Sequence, residues 1–268
     1  MRVDGTIVTS CKRYERGLRC GERQMRAIGI GAVFTRPSHR GRGLATAMLA
    51  ALLDAERQAG TDLAFLFSDI RPHFYEELGF APLPSRLITL RADSLSNNRV
   101  TASRLHEGDI PAIARCFAAL DETRRVGLRR TPIVWDLVGT HHRIGQARAD
   151  TVDLAVRGAR GGSVLAYCLG RRVVKADAYV LDELGFTKGH EHLVAPLLRA
   201  AAGDLRKITG WLPPQPARDV LPRGTVRARR DAILMAAPLS RAARTQWRTM
   251  LPQILRSSGD PLWSTDHI

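Results

Sequence analysis

The sequence predicts an α/β (α+β) fold in which a mixed central sheet is flanked by helices, and three observations carry that reading. An apolar stretch, Ala27 to Thr35, runs through the turn Arg40-Gly41-Arg42-Gly43 into a helical pattern from Leu44 to Gln58. A second apolar run, Leu63 to Ser68, shows no polar alternation, as a central strand covered on both faces requires. From Gly108 onward the pattern starts again and reads helix, helix, strand, strand, strand, helix, strand.

Each element has a local cause. Residues 1–34 read as strands: Thr6 to Ser10, a stretch near Tyr14 to Cys20 with a turn at Gly21-Glu22, then Ala27 to Thr35. The helix Leu44 to Gln58 rests on Leu44, Met48, Ala51, Leu52 and Ala55 at helical spacing, abundant Ala, and Gly60 beyond its last turn. A short helix is expected from Pro72 to Leu78, stopped by Gly79, then a strand Arg86 to Arg91 and a polar linker Asp93 to Asn98. In the second half, Ile110, Ile113, Ala114, Phe117 and Leu120 share one helix face. A second helix follows near Pro132 to His142. Strands Val152 to Arg157, Val164 to Leu169 and Ala176 to Leu184 come next, the first two joined by a hairpin turn at 158–162. Helix Glu191 to Leu205 and strand Lys207 to Leu212 close the series before a proline-rich turn.

Composition narrows the class. The 268 residues suffice for two domains of ordinary size. Lys and Arg number 41 against 26 Asp and Glu, a net charge of +15, which favours polyanionic partners: nucleic acid, acidic lipid or a phosphorylated cofactor. The basic residues are scattered rather than clustered with aromatics, so most of the charge reads as compositional bias, and nucleic acid is not the favoured partner. Cys11, Cys20, Cys116 and Cys168 show neither CxxC nor metal-ligand spacing and read as reduced thiols, implying a cytoplasmic protein. No secretion signal is read at the N-terminus, and no apolar run is long enough to span a bilayer. His190 and His192 point apart at a helix start, and they and the pair His141 and His142 read as solvated, so no metal is expected.

The turn between Thr35 and Leu44 is a place to hold phosphate. A helix start offers backbone N–H groups with no intrahelical partner and the positive end of the helix dipole. Gly41 and Gly43 let the main chain turn without a Cβ in the way, so a diphosphate can approach the backbone itself. Arg40 and Arg42 add fixed positive charge. A P-loop needs Gly-Lys-Ser/Thr, and Gly43 is followed by Leu44. A dinucleotide fingerprint needs a third glycine or alanine at a step that Gly41-Arg42-Gly43-Leu44-Ala45-Thr46 misses.

What fits is Arg-x-x-Gly-x-Ala, met by Arg40, Gly43 and Ala45. It resembles the pyrophosphate loop of the GNAT superfamily, the acyl-CoA N-acyltransferases. The buried strand Leu63 to Ser68 and the segment Pro72-His73-Phe74-Tyr75-Glu76-Glu77-Leu78-Gly79-Phe80 resemble the family's second motif, a Tyr four residues before Gly-Phe. The resemblance covers about residues 27–90 and implies an N-acetyltransferase that takes acetyl-CoA as co-substrate and a primary amine as acceptor. It also implies a first, N-terminally short GNAT-like domain over 1–95, without the family's two leading helices. The second half, 99–268, resembles a degenerate GNAT repeat, as in the tandem-domain enhanced-intracellular-survival type, with Gly185 to His192 where the anion loop would stand.

The resemblance also assigns residues. The backbone of Val33, Phe34 and Thr35 would meet the pantetheine and thioester carbonyl; Arg40, Gly41, Arg42, Gly43, Leu44, Ala45 and Thr46 would hold the diphosphate; Ser68 stands where many family members have Asn. Tyr75 is the candidate acid for the departing thiolate. The family's strand glutamate is missing, so the base stays open between Asp69, acting through a water or else merely capping the turn at Pro72, and the Ile268 carboxylate at the chain end. Two further readings remain: a non-catalytic, GNAT-derived CoA-binding module, and an RNA-associated one.

Overall fold

The computed structural model describes residues 1–70, 72–95, 98–142, 149–159, 162–257 and 259–267. The elements in chain order begin with β1 (Arg2–Val3), β2 (Thr6–Ile7), β3 (Thr9–Cys20), β4 (Arg23–Thr35), α1 (Leu44–Gln58), β5 (Leu63–Ser68), α2 (His73–Glu76) and β6 (Ala81–Pro82). They continue with β7 (Arg86–Arg91), β8 (Ala102–Arg104), α3 (Ile110–Asp121), β9 (Val126–Arg129), α4 (Pro132–His142), β10 (Leu154–Arg157), β11 (Val164–Val173) and β12 (Ala178–Phe186). Last come α5 (Val194–Ala202), β13 (Lys207–Trp211), β14 (Thr225–Ala228), β15 (Ile233–Pro238) and α6 (Arg241–Arg256).

The chain forms two compact units. Unit 1 takes Met1–Ser85, Arg125–Arg129 and Arg229–Ser257; unit 2 takes Arg86–Arg124, Arg130–Ala228 and Ser258–Ile268. The sequence places its first boundary in the polar stretch after residue 95, whereas the units divide after Ser85, because β7 pairs with β13 and β14 of unit 2.

In unit 1 the sheet order is β6-β15-β5-β4-β3-β9. The long hairpin β3–β4 turns at Gly21, whose φ of +64° belongs to the left-handed region that glycine enters freely. Ile28, Ile30, Leu49, Leu53, Ala64, Leu66, Tyr75, Phe80 and Met235 form the core between this sheet and α1. Fully burying each large aliphatic of this set contributes about 1.5–3 kcal/mol. Arg13 and Glu56 tie β3 to α1 through two hydrogen bonds, of 2.6 and 3.1 Å, and Thr61 donates to the same carboxylate. The Arg13 hydrogen bond holds the Glu56 carboxyl below its usual range. No α-helix precedes Leu44 among the described residues.

Unit 2 has the order β14-β7-β13-β12-β11-β10-β8. Its plan repeats that of unit 1: a parallel pair (β12 with β13, as β4 with β5), then an antiparallel strand (β7, as β15), then a short edge strand (β14, as β6). In each sheet that antiparallel strand is remote in sequence from its neighbours, β15 following β5 and β6 and β7 preceding β13 and β14. Its core gathers Ile113, Phe117, Tyr167, Leu169, Tyr179, Leu184, Leu197 and Trp263.

Three expectations change. The helix expected at Pro72 to Leu78 is one turn, His73–Glu76, and the helix expected from Glu191 to Leu205 begins with a 3-10 turn, Glu191–Leu193, and ends before Gly203. His142 is buried rather than solvated: its Nδ1 lies 3.8 Å from the Asp153 carboxylate, a pairing the sequence does not announce because ten undescribed or loop residues separate the two. The hairpin turn expected at 158–162 includes residues 160 and 161, and the linker Asp93 to Asn98 includes 96 and 97, all outside the described residues.

Candidate active site

The site is built by two strands that part company. β4 and β5 are paired in parallel only from Ala27↔Leu63 to Ile30↔Leu66. Past that point β4 runs on to Thr35 bonded to β3, and β5 runs on to Ser68 bonded to β15, so no ladder joins them. A bulge starts the divergence: Ser10 faces Phe34 and Lys12 faces Gly31, leaving an extra residue on β4. Ala32 takes it up with a φ of +48°, a left-handed conformation that costs a non-glycine residue about 1–2 kcal/mol. Thr9 fixes the far end of β4, its hydroxyl donating to Phe34 O at 2.7 Å.

Between the strands lies a cavity of about 720 Å³, within the range of small-molecule sites. The structure brings Val33, Phe34, Thr35, Arg40, Gly41, Gly43, Leu44, Ala45, Thr46, Asp69 and Tyr75 together in its lining. Arg42 and Ser68 are not in that lining. Ser68 is buried, and its hydroxyl closes the end of β5 by donating to Ile70 O at 2.8 Å and accepting from Ile70 N. Ile268 is outside the described residues. The tail before it packs in unit 2, where Trp263, Thr265 and Asp266 are buried and His267 stacks on Trp211. Sequence reasoning missed Ile30, Gly31, Ala32, His39, Phe67, Ile70 and Phe74, which also line the cavity. Phe67 and Phe74 neighbour the chosen residues and were within reach of a pattern argument; the bulge at Ala32 leaves no trace in residue type.

At the start of α1 the amides of residues 41–46 donate to no group among the described residues; Ala47 N is the first to be satisfied, on Gly43 O. Gly43, the cap, has a φ of +70° and Gly41 of +73°, and no acidic residue stands in the first helical turn. A Cβ at either glycine would meet nothing within 4 Å, so the demand for glycine is set by backbone conformation rather than by crowding. Arg40 is exposed and anchored through its Nε to Thr35 O at 3.2 Å, which holds its guanidinium beside the loop. This is an open cradle for a multiply charged anion.

The other wall is aromatic. Tyr75 is buried, with edge contacts to Phe74 (4.8 Å between centroids) and Phe80 (6.1 Å), yet it reaches the cavity lining, and its hydroxyl has no hydrogen-bond partner among the described residues. Burial first, then the charges of Asp69 and Cys11, push its phenol above the ordinary tyrosine value, so it stays protonated through neutral pH. Asp69 is exposed, and its Oδ1 accepts from Ala232 N at 3.0 Å. It does not cap α2, which has no side-chain cap.

Unit 2 repeats the strand geometry without the site. β12 and β13 pair from Ala178↔Lys207 to Leu181↔Gly210, and a bulge follows at once at Asp182. Next to the bulge, Arg130 donates to Thr265 and Asp266, and Thr265 donates to Glu183. The Arg130 guanidinium lies 2.7 Å from Glu183 and 2.9 Å from Asp266, over the faces of Phe117 and Trp135. Tyr167 donates to Glu183 at 2.6 Å, and Ser264 to Asp182 at 3.0 Å. At the helix start, Gly189 N donates to the Glu191 carboxylate at 3.1 Å, and the amides of Thr187, His190 and Leu193 are bonded to carbonyls. His190 and His192 have rings 6.2 Å apart, and no cluster of three or more metal-binding side chains exists among the described residues.

Comparison with known proteins agrees with this geometry. Residues 1–83 match the family model of the acetyltransferase (GNAT) domain. A comparison with curated proteins found no match. Among solved structures, a GCN5-related N-acetyltransferase from Anabaena variabilis superposes with a TM-score of 0.71 at 13% identity, covering 90% of this chain and 62% of its own. One from Kribbella flavida gives 0.66 at 17% identity, covering 90% and 60%. Eis1 from Mycobacterium abscessus gives 0.62 at 13% identity, covering 89% and 63%. The chain thus spans a little over three-fifths of the length of the structures it matches. Its fold is the GNAT fold, a mixed α/β architecture of sheets flanked by helices. Its first 83 residues are the part that resembles the GNAT domain in sequence.

Proposed function

We propose that the protein is an acetyl-CoA-dependent N-acetyltransferase acting on a primary amine. The observation that carries this reading is the rank of unpartnered amides at 41–46, whose residues, Arg42 apart, line the same cavity as Tyr75 and the parted strands. The amides and Arg40 hold the diphosphate, and the backbone of Val33 to Thr35 lies along the pantetheine. The thioester supplies the activated acyl carbon. Asp69 takes the proton of the attacking amine through a water, and a main-chain amide near Val33 receives the oxyanion. Tyr75, neutral at working pH, gives its proton to the CoA sulfur as the C–S bond breaks, and the proton held by Asp69 passes back to the phenolate through solvent.

No helix among the described residues is long and apolar enough to cross a membrane, which fits a reaction between water-borne substrates. The test is calorimetric titration with acetyl-CoA alongside thiol release with a panel of amines. Micromolar binding with amine-dependent thiol release is expected. Binding without release from any amine favours a CoA-binding module, and absence of binding ends both readings.

A further inference from the structure

The cavity wall that follows β5 has a composition of its own. Phe67, Ile70, Phe74 and Tyr75 come from β5, the turn after it and α2, and Phe34 faces the same space from β4. Four of the chain's 15 aromatic residues (seven Phe, four Tyr, four Trp) therefore line one cavity. Phe34 is 49% exposed and Ile70 54%, and, unlike apolar side chains scattered singly on a surface, they line one cavity with three further aromatic rings. Asp69, beside Ile70 in sequence, is the one carboxylate among the described lining residues. Its Oδ1 is fixed by Ala232 N, which leaves Oδ2 without a hydrogen-bond partner among the described residues.

We infer that the acceptor is a monocationic amine carried on a flat apolar body, an arylalkylamine, rather than a polycation. This rests on the proposed acetyl transfer and specifies its second substrate. One carboxylate matches one ammonium. A polyamine or aminoglycoside would bring further positive charges to a lining with no second acid and to a chain of net charge +15. Aromatic faces favour both a ring, by edge or offset stacking, and the adjacent ammonium, by cation–π attraction. An acyl chain calls for an enclosed slot, whereas Phe34 and Ile70 are half open to solvent.

The experiment titrates 2-phenylethylamine, n-butylamine and spermidine into the protein saturated with CoA, for the wild type and for Phe34→Ala and Ile70→Ala. Both side chains are exposed enough to be removed without loss of the fold, which thermal unfolding checks. The expected result is a Kd for 2-phenylethylamine about tenfold below those of the other two amines, with the preference reduced to about twofold in Phe34→Ala. Spermidine binding as tightly as 2-phenylethylamine, no measurable binding of 2-phenylethylamine, or a preference untouched by Phe34→Ala overturns the inference. So does a loss in Phe34→Ala confined to decanoyl-CoA against acetyl-CoA, which would give the wall to the acyl chain. CoA binding is read in a separate titration, so failure of the transferase reading is distinguishable. The amine series is then repeated on the free protein, where the same order of affinities is expected and its absence overturns the inference.

Discussion

The two units put the same strand plan to opposite ends. In each, a parallel pair stops at a bulge and a helix begins a few residues later. In unit 1 the amides of residues 41–46 are left unpartnered and the strands open on a cavity. In unit 2 Glu191 supplies its own carboxylate to Gly189 N, and Thr265, Asp266 and Arg130 form a bonded cluster on Glu183 beside the bulge. The lesson is that the fold alone makes no anion site. What differs is two glycines at positive φ and no acid in the first turn in unit 1, against a glutamate on one amide and carbonyls on three others in unit 2.

The harshest test of that contrast turns one loop into the other. Gly43→Asp places a carboxylate at the cap of α1 in a conformation aspartate tolerates better than most residues, and it is expected to weaken acetyl-CoA by about 10³-fold or more through like-charge repulsion and loss of the cradle. Calorimetry reads it, and near wild-type affinity would break the comparison. Tyr75→Phe probes the opposite wall. It is expected to lower kcat about 10²–10³-fold with acetyl-CoA affinity unchanged, because only proton delivery to sulfur is lost. In the wild type the alkaline limb set by this phenol lies above pH 10, since burial raises it; a limb near pH 8 would assign the proton elsewhere.

In unit 2 the expected effects are on stability. Arg130→Met leaves Glu183 and Asp266 buried without their cation and is expected to cost about 3–5 kcal/mol, seen as a lowered denaturation midpoint. Burial opposes ionisation of Glu183, but Arg130 outweighs it and the carboxyl lies below its usual value. The stability it contributes is therefore present above about pH 4.3 and lost as pH falls through the lower folded value. His142 shows the opposite sign. Burial works against its charge, yet the Asp153 hydrogen bond prevails and its pKa is raised. That contribution is complete below pH 6.5 and fades as pH rises through the folded value, so the melting temperature should fall between pH 6 and 8.5, and His142→Asn should flatten the slope. The smallest effect is expected at the bulge. Ala32→Gly removes left-handed strain and should stabilise by about 0.5–1 kcal/mol in thermal unfolding.

Much of the fold was legible where pattern is local. α1, β5, β7 and α4 fall on the residues their periodicity and end signals predict, because each has its own apolar spacing and a glycine or proline at a boundary. The turn into α1 was legible for the same reason: glycines, arginines and a helix start are contiguous. The strand β15 was not. Ile-Leu-Met-Ala-Ala-Pro of β15 is a short apolar run whose partner β5 lies far back in the chain, and Asp69 meets Ala232 across 163 residues. Nothing in either stretch encodes the other. α6 did carry a signal, with Ser240 capping Ala243 N and Ala243, Trp247, Met250 and Ile254 on one buried face, diluted by a basic outer face. Burial of His142 and closure of the unit 2 loop by Glu191 depend on side-chain placement that residue order does not carry.

The central claim is that main-chain amides of one loop, and not of its counterpart, receive the diphosphate of coenzyme A. Backbone amide spectra of 15N-labelled protein titrated with acetyl-CoA test it most directly. Resonances of Gly41 to Thr46 are expected to move downfield and saturate with the binding curve, while those of Gly189 to Leu193 stay in place. Unmoved signals at 41–46, or equal shifts at 189–193, would contradict it.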